Sequence, residues 1–123
     1  MPADLAIVSS FVRNGRLLED RANAVLKPYG ITFSRFELLS LLRHSRLGAL
    51  PMKEVSTSLS LPPASVTHTV ASLEKAGLVS RTPSPTDGRG VLVSITDQGI
   101  VLVSAATPVL EECFRLVEVP GVG

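Results

Sequence analysis

The amino-acid sequence predicts a mainly α-helical fold with one small β-hairpin, and three observations lead to this prediction. Two short helical patterns at 52–59 and 63–76 are separated by a break at 60–62. Two β-type runs follow at 78–82 and 91–96, joined by a polar loop rich in turn-forming residues. Apolar residues recur at helical steps before and after this segment. A short helix, a tight turn, a second helix and a β-wing are the parts of a winged helix-turn-helix.

The two helices expected before this segment follow from apolar periodicity and from stop signals. The first runs from Ala3 to Lys27, with apolar residues three and four positions apart, and Pro28-Tyr29-Gly30 ends it. The second runs from about Thr32 to His44. The stretch 47–50 is a turn, with or without a short strand that pairs with the wing. Pro51 then opens the next helix.

The second short helix has one apolar face, formed by Val66, Val70 and Leu73. Its hydroxyl and imidazole side chains therefore point elsewhere. After the wing, Thr96 or Asp97 caps a final apolar helix that is expected to run through Val117 and to kink at Pro108, which lies inside it.

Composition restricts the classes of function. The 123 residues suggest one domain, and 12 Lys and Arg against 11 Asp and Glu give a net charge of only +1. Tight DNA binding would therefore need specific contacts, a local basic patch or two copies of the chain. A single cysteine excludes an intramolecular disulfide and a cysteine-based zinc cluster, and two histidines give a metal site little support, so no metal or cofactor is expected.

Targeting and catalytic signals are absent from the sequence. The N-terminus has no basic region typical of a signal peptide, and no apolar run approaches the ~20 residues of a membrane span, so the expected location is the cytoplasm and no membrane partner is predicted. No nucleophile elbow, metal-ligand cluster or phosphate-binding loop is present, so the sequence does not predict an enzyme.

The polar face of the second short helix is the first candidate DNA contact. Serine and threonine can donate to phosphates or contact base edges, and a threonine methyl can pack on thymine. The alternative is that these side chains are merely solvated, but their position after a short helix and before a wing favours DNA binding. Lys75 suits a phosphate contact. The predicted DNA-binding residues are Ser65, Thr67, His68, Ser72, Lys75, Arg81, Asp87, Gly88 and Arg89.

The tip of the wing is the second candidate contact. The guanidinium of Arg89 can enter a narrow minor groove, where the negative potential is strongest. Asp87 can orient that guanidinium through charge-assisted hydrogen bonds, and Gly88 permits the tight turn. The alternative is an ordinary surface pair that stabilises a turn.

Three segments, LEKAGLVSR at 73–81, PTDGR at 85–89 and VSITDQG at 93–99, resemble the multiple-antibiotic-resistance regulator (MarR) family. The resemblance covers roughly 29–105. It implies a single domain over 1–123, with a winged-helix DNA-binding lobe at about 31–97 and dimerisation helices at 3–27 and 97–118. It also implies a homodimer that represses transcription and often responds to small aromatic or phenolic ligands, or to oxidants.

Two positions depart from the family's pattern. Pro62 replaces a serine that would cap the recognition helix, and His68 stands where an arginine is common. The resemblance otherwise predicts a ligand-responsive repressor that binds a pseudo-palindromic operator as a homodimer. The alternative is a winged-helix module for protein–protein contact that no longer binds DNA.

Two further residue sets bear on regulation. An effector pocket is expected between the terminal helices and the DNA-binding lobe, lined by Phe11, Tyr29 and Phe36. Cys113 is interpreted as a small buried hydrophobe rather than a redox sensor, because relatives that sense peroxide use a cysteine near the N-terminus with tyrosines nearby.

Overall fold

The computed structural model describes residues 2–86 and 88–115, and its described elements occur in the order that the sequence predicts. The prediction of a mainly helical fold with a small β-wing is confirmed. The final helix is described to Phe114, and the predicted extension to Val117 lies outside the described residues. The elements are α1 (Ala3–Leu26), a single 3-10 turn (Lys27–Tyr29), α2 (Phe33–His44), β1 (Ala49–Pro51), α3 (Met52–Leu59), α4 (Pro63–Lys75), β2 (Val79–Pro83), β3 (Val91–Ile95) and α5 (Asp97–Phe114).

The described residues divide into two compact units. Residues 34–105 form the winged-helix unit, and residues 2–33 with 106–115 form the helical unit. The boundaries that the sequence predicts for the DNA-binding lobe and the terminal helices stay a prediction.

Each helix of the winged-helix unit from α2 to α4, together with β3, buries apolar side chains. Leu39 and Leu42 of α2, Val55 of α3 and Val70 of α4 are fully buried, and Val93 of β3 is buried with them. The apolar face predicted for the second short helix therefore packs inward. Because each of these elements contributes a buried apolar side chain, the short helices are held in place by packing rather than by their own propensity.

The turn between α3 and α4 is fixed by local bonds. Ser60 ends α3 in the left-handed conformation at φ 53°, and the Ser56 hydroxyl donates to the Leu61 carbonyl at 2.6 Å. Pro62 precedes α4 and, within the described residues, makes no side-chain cap, as its ring predicts. Pro63 has no N–H to satisfy, and the Ser65 N–H donates to the Pro62 carbonyl at 3.0 Å, so this N–H of the first turn bonds the backbone instead of a side-chain cap.

Three strands form an antiparallel sheet in the order β1-β3-β2. The short strand expected near residues 47–50 is present and pairs with the wing, with Leu50 opposite Val93. Pro51 is the last residue of β1 and directly precedes α3, rather than being the first residue of that helix. The hairpin itself pairs Val79 with Ile95 and Pro83 with Val91.

The C-terminal end of α4 joins the wing through a compact turn. The Gly77 N–H donates to the Glu74 carbonyl at 3.0 Å and the Leu78 N–H to the Leu73 carbonyl at 2.9 Å, which is a Schellman motif. Gly77 has φ +77°, a conformation that disfavours any side chain with a Cβ.

Thr96 ties this turn to the start of α5. Its hydroxyl donates to the Gly77 carbonyl at 2.7 Å and accepts from the Gly99 N–H at 3.1 Å. Of the two caps that the sequence allowed, the structure therefore uses Thr96. This one hydroxyl therefore links the turn between α4 and β2 to the first turn of α5.

The helical unit leaves much of its apolar surface open. Along one stripe of α1, Ala22 and Leu26 are buried, whereas Val8 and Phe11 on the same stripe are exposed. Asn23 accepts the N–H of Phe33 at 2.7 Å, which fixes the chain where α2 begins. Among the described helices, none combines the length and the apolar character needed to cross a membrane.

Candidate nucleic-acid interface

Helix α4 presents a narrow exposed stripe opposite its buried face. Val66, Val70 and Leu73 are buried, so the stripe on the far side runs through His68 and Lys75. Residues Ala64 and Ala71 are exposed and complete that stripe at helical spacing. Sequence reasoning missed both alanines because it searched for polar groups. Small residues beside His68 let another surface approach the helix backbone closely.

Thr67 lies on the flank of α4 and has its hydroxyl proton engaged. The hydroxyl donates to the Pro63 carbonyl one turn earlier at 2.9 Å. Its oxygen can still accept a hydrogen bond, and its methyl group remains available for apolar contact. Thr67 is therefore suited to accept from a ligand rather than to donate to it.

A groove of about 420 Å³ lies where α3, α4 and the wing meet. Lys53 enters it from the first turn of α3, Thr67 from α4 and Arg89 from the wing. The structure thus brings together two residues predicted as DNA contacts, Thr67 and Arg89. The other lining residues are Pro51, Met52, Ser84, Thr86, Gly90 and Val91.

A second groove of about 320 Å³ separates α3 from the start of α4. It shares Met52, Lys53 and Thr67 with the first groove, so Lys53 borders both. Lys53 was not among the residues predicted from the sequence. The available signal was a basic residue in the first turn of a helix that leads into a helix-turn-helix.

The wing loop is closed by the Ser84 N–H, which donates to the Gly90 carbonyl at 3.0 Å. Arg89 and Gly88 are exposed in this loop. Asp87 lies outside the described residues, so its predicted role in orienting Arg89 stays a prediction.

Arg81 forms an ion pair with Glu74 of α4. One carboxylate oxygen of Glu74, Oε1, accepts from Nη2 of Arg81 at 2.7 Å and from Nε at 3.1 Å. Oε2 accepts the backbone N–H of Arg81 at 3.2 Å. These bonds from Arg81 lower the pKa of Glu74, and the hydrogen bond to Glu74 raises the pKa of Arg81. Glu74 had not been singled out from the sequence.

Charge is unevenly divided between the two units. Residues 34–105 carry seven Lys and Arg against five Asp and Glu, whereas the rest of the chain carries five against six. The net charge of +1 for the chain therefore divides into +2 for residues 34–105 and −1 for the rest, a small basic excess in the winged-helix unit that the whole-chain value hides.

The residues predicted to line an effector pocket lie in different environments. Phe11 of α1 is 42% exposed, Tyr29 is half-buried in the 3-10 turn, and Phe36 of α2 is only 7% exposed. Cys113 is half-buried in α5. The effector pocket stays a prediction, as does the interpretation of Cys113.

The arrangement of α3, turn, α4 and wing defines a winged helix-turn-helix protein, and comparison with known proteins identifies its family. The MarR family model matches residues 31–91. The structure of Sco5413, a MarR family transcriptional regulator from Streptomyces coelicolor, is 39% identical, with a TM-score of 0.84 over 94% of this chain and 81% of that one. This chain therefore belongs to the MarR family, a family of transcriptional regulators.

Two other relatives share this architecture or sequence. Sco3205, a MarR family transcriptional regulator from Streptomyces coelicolor solved in complex with DNA, is 28% identical, with a TM-score of 0.86 over 94% of this chain and 74% of that one. The HTH-type transcriptional regulator MhqR of Bacillus subtilis (strain 168) is 32% identical over 93 residues, which are 76% of this chain. The chain spans 63% of the length of MhqR.

Proposed function

We propose that this protein binds double-stranded DNA sequence-specifically and represses transcription from the site that it occupies. The observation that carries the proposal is the groove lined by Lys53 of α3, Thr67 of α4 and Arg89 of the wing. Two cations from different elements thus lie beside the exposed side of α4, where Lys53 suits a phosphate contact and Arg89 suits a groove contact.

Helix α4 supplies the base contacts in this proposal. His68 lies at the centre of the exposed stripe, with Ser65 and Ser72 beside it, so these side chains reach base edges when the helix enters the major groove. The small side chain of Ala71 leaves room for the DNA. Lys75, at the end of the helix, contacts a phosphate.

The wing supplies the minor-groove contact. Arg89 is exposed at the hairpin loop, and a guanidinium inserted into a narrow minor groove gains from its negative potential. Gly88 is exposed in the same loop, and no described atom lies within 4 Å of the position that a Cβ would take there, so the DNA backbone can approach it closely. Asp87 orients Arg89.

Two copies of the chain act together. A net charge of +1 gives one copy little non-specific attraction for DNA, and α1 exposes apolar side chains that a second copy can cover. A two-fold axis then presents two recognition helices to half-sites about one helical turn (~10 bp) apart. The exposed apolar residues of α1 are Leu5, Ile7, Val8, Phe11, Val12 and Leu17.

A small aromatic or phenolic effector controls this dimer. Phe11, Tyr29 and Phe36 provide the aromatic surface for it, and the effector acts by favouring a dimer whose recognition helices are wrongly spaced for the groove. The relatives are bacterial, and bacterial DNA lies in the cytoplasm, so the proposed site of action is the cytoplasm. No cofactor and no catalytic step is part of this proposal.

The test is a measurement of DNA affinity by fluorescence anisotropy, with a duplex that the wild-type protein selects from a random-sequence library. Arg89→Ala should weaken binding by ~1–3 kcal/mol, because it removes one good groove contact. Arg46→Ala is the matched control, because Arg46 is also exposed in the winged-helix unit but does not line the groove. Failure to select any duplex, or equal losses in the two variants, would refute the proposal.

A further inference from the structure

We propose that Glu74 and Arg81 form a clamp that holds the wing at the angle needed for DNA binding. Arg81 is then a positioning residue and not a DNA contact. This inference rests on the proposed DNA-binding function and assigns to Glu74, a carboxylate on the recognition helix, a role that its charge alone would not suggest.

The clamp fixes both the side chain and the backbone of Arg81. The Glu74 carboxylate receives three N–H groups from that one residue: Nη2 at 2.7 Å, Nε at 3.1 Å and the backbone N–H at 3.2 Å. A guanidinium bound through two of its nitrogens is restricted in orientation as well as in distance. The backbone bond adds a restraint on the strand itself, which a contact between two flexible side chain ends would lack.

The two residues lie near the base of the hairpin, where a small rotation of β2 displaces the hairpin tip by a larger distance. Glu74 is in the last turn of α4, and Arg81 is the middle residue of β2, which is an edge strand of the sheet. Arg81 pairs with Val93 of β3, so holding Arg81 holds the whole hairpin. Arg89 lies at the far end of that hairpin, so a change of angle at Arg81 moves Arg89 away from the groove.

The clamp adds a direct side-chain link between α4 and β2, which the chain itself joins by a single turn. Only residues 76–78 join α4 to β2, and their Schellman motif fixes the end of the helix but not the direction of the hairpin beyond it. The bond from the backbone N–H of Arg81 also satisfies a donor on an edge strand. The wing therefore has a second attachment to the recognition helix, three residues past the turn.

The exposure of the Glu74–Arg81 ion pair favours a role in positioning the wing over a role in stabilising the fold. The Glu74 and Arg81 side chains are 38% and 36% exposed, and ion pairs at this level of exposure contribute little to folding. A carboxylate on a DNA-binding helix is also unfavourable for DNA affinity in itself, because it repels phosphates. Positioning and simple electrostatics therefore predict opposite signs when Glu74 is removed.

The experiment compares Glu74→Ala with Glu54→Ala, using the duplex that the wild-type protein selects. Both changes remove one exposed or half-exposed carboxylate from the winged-helix unit, but only Glu74 contacts the wing. Glu74→Ala should weaken binding roughly tenfold, the scale of one lost wing contact. Glu54→Ala should leave affinity unchanged or raise it slightly. The thermal unfolding midpoint of Glu74→Ala should stay at the wild-type value.

A double-mutant cycle with Arg89 tests whether the effect passes through the wing. In an Arg89→Ala background, Glu74→Ala should cause no further loss, because the wing contact that it positions is already gone. Arg81→Lys keeps the positive charge and the backbone N–H but lacks the planar pair of N–H donors, so its affinity should fall between those of Glu74→Ala and the wild type. A merely structural role would lower the unfolding midpoint and weaken binding in both backgrounds.

Three results would overturn the clamp. Unchanged or raised affinity in Glu74→Ala would mean that Glu74 affects DNA binding only through its charge. A full tenfold loss in the Arg89→Ala background would mean that Glu74 acts outside the wing. Wild-type affinity in Arg81→Lys would identify Arg81 as a general cation. If the wild-type protein selects no duplex, the proposed function fails and the clamp with it, and these two failures are told apart by the wild-type measurement.

Discussion

The two units of this protein treat their apolar residues differently. In the winged-helix unit, α2, α3, α4 and β3 each bury at least one large apolar side chain, among them Leu39, Val55 and Val70. In the helical unit, the C-terminal half of α1 is buried at Ala22 and Leu26, while its N-terminal half exposes Val8, Phe11 and Val12 along the same face. Among the described residues, the winged-helix unit exposes two large apolar side chains, Leu47 and Val101, whereas α1 alone exposes six.

This difference places the two proposed roles in different units: DNA binding in the winged-helix unit and association of two copies in the helical unit. The winged-helix unit can offer a polar outer surface, with hydroxyls, an imidazole and cations, because its apolar groups are satisfied inside. Apolar surface exposed to water is unfavourable by ~25 cal/mol per Å², which a second copy would relieve in the proposed dimer. We therefore expect substitutions in α1 to act on association and substitutions in α2 to act on folding.

The largest expected effect is that of Val8→Glu. Val8 is 56% exposed, so the change should leave the fold intact. Across the proposed dimer interface, an unpaired carboxylate should destabilise association by ~3–5 kcal/mol. Sedimentation velocity at micromolar concentration should show a monomer, and DNA affinity should fall with dimerisation. Arg13→Glu, an exposed charge change on the polar side of α1, is the control. A Val8→Glu protein that remains dimeric would contradict the assignment of association to the apolar face of α1.

The next largest effect is that of Leu39→Ala in the winged-helix core. Leu39 is fully buried, so the cavity should lower the free energy of unfolding by ~2–5 kcal/mol. Leu47→Ala removes the same atoms from a residue that is 84% exposed and should change stability by less than ~0.5 kcal/mol. Urea unfolding at one fixed protein concentration measures both. Similar losses in the two variants would show that the burial pattern does not set stability.

Thr96→Val tests how much one hydroxyl contributes to the stability of the winged-helix unit. The change keeps the shape of the side chain but removes the hydroxyl that bonds the Gly77 carbonyl and the Gly99 N–H. It should lower the free energy of unfolding by ~1–2 kcal/mol, the cost of a lost helix cap and an unpaired carbonyl. Thr82→Val, on the exposed surface of β2, should be nearly neutral. Equal stability of the two variants in thermal unfolding would show that the hydrogen bonds of the Thr96 hydroxyl do not stabilise this unit.

The smallest expected effect is that of Gly15→Ala on α1. Among the described residues, no atom lies within 4 Å of the position of the added Cβ, so alanine should stabilise the helix by ~0.5–1 kcal/mol. Gly30→Ala also meets open space but has φ +70°, so it should be destabilising by ~1 kcal/mol. Calorimetry of both variants measures the change in stability. Because both positions have room for a Cβ, a difference between the variants reports the effect of backbone conformation. Destabilisation by Gly15→Ala would mean that a second copy packs closely against that glycine.

Much of the site could be predicted because its signals are local. Met52–Leu59 was predicted to the residue as a helix, since Pro51 and the break at 60–62 bound it. The exposed face of α4 followed from the spacing of Val66, Val70 and Leu73. The groove could not be predicted, because Lys53 and Arg89 are separated by 35 residues in sequence and meet only through the fold.

The sequence by itself determined the helices, the turn between α3 and α4 and the presence of a wing, because apolar periodicity, proline and glycine act within a few residues. Tertiary structure alone decided the strand order β1-β3-β2, the bond from Thr96 to Gly77 and the pairing of Glu74 with Arg81. Each of these joins elements whose relative position depends on how several apolar faces pack at once. Hydrogen bonds and ion pairs reach only about 3 Å, so no pattern along the chain can state which distant partners come within that range.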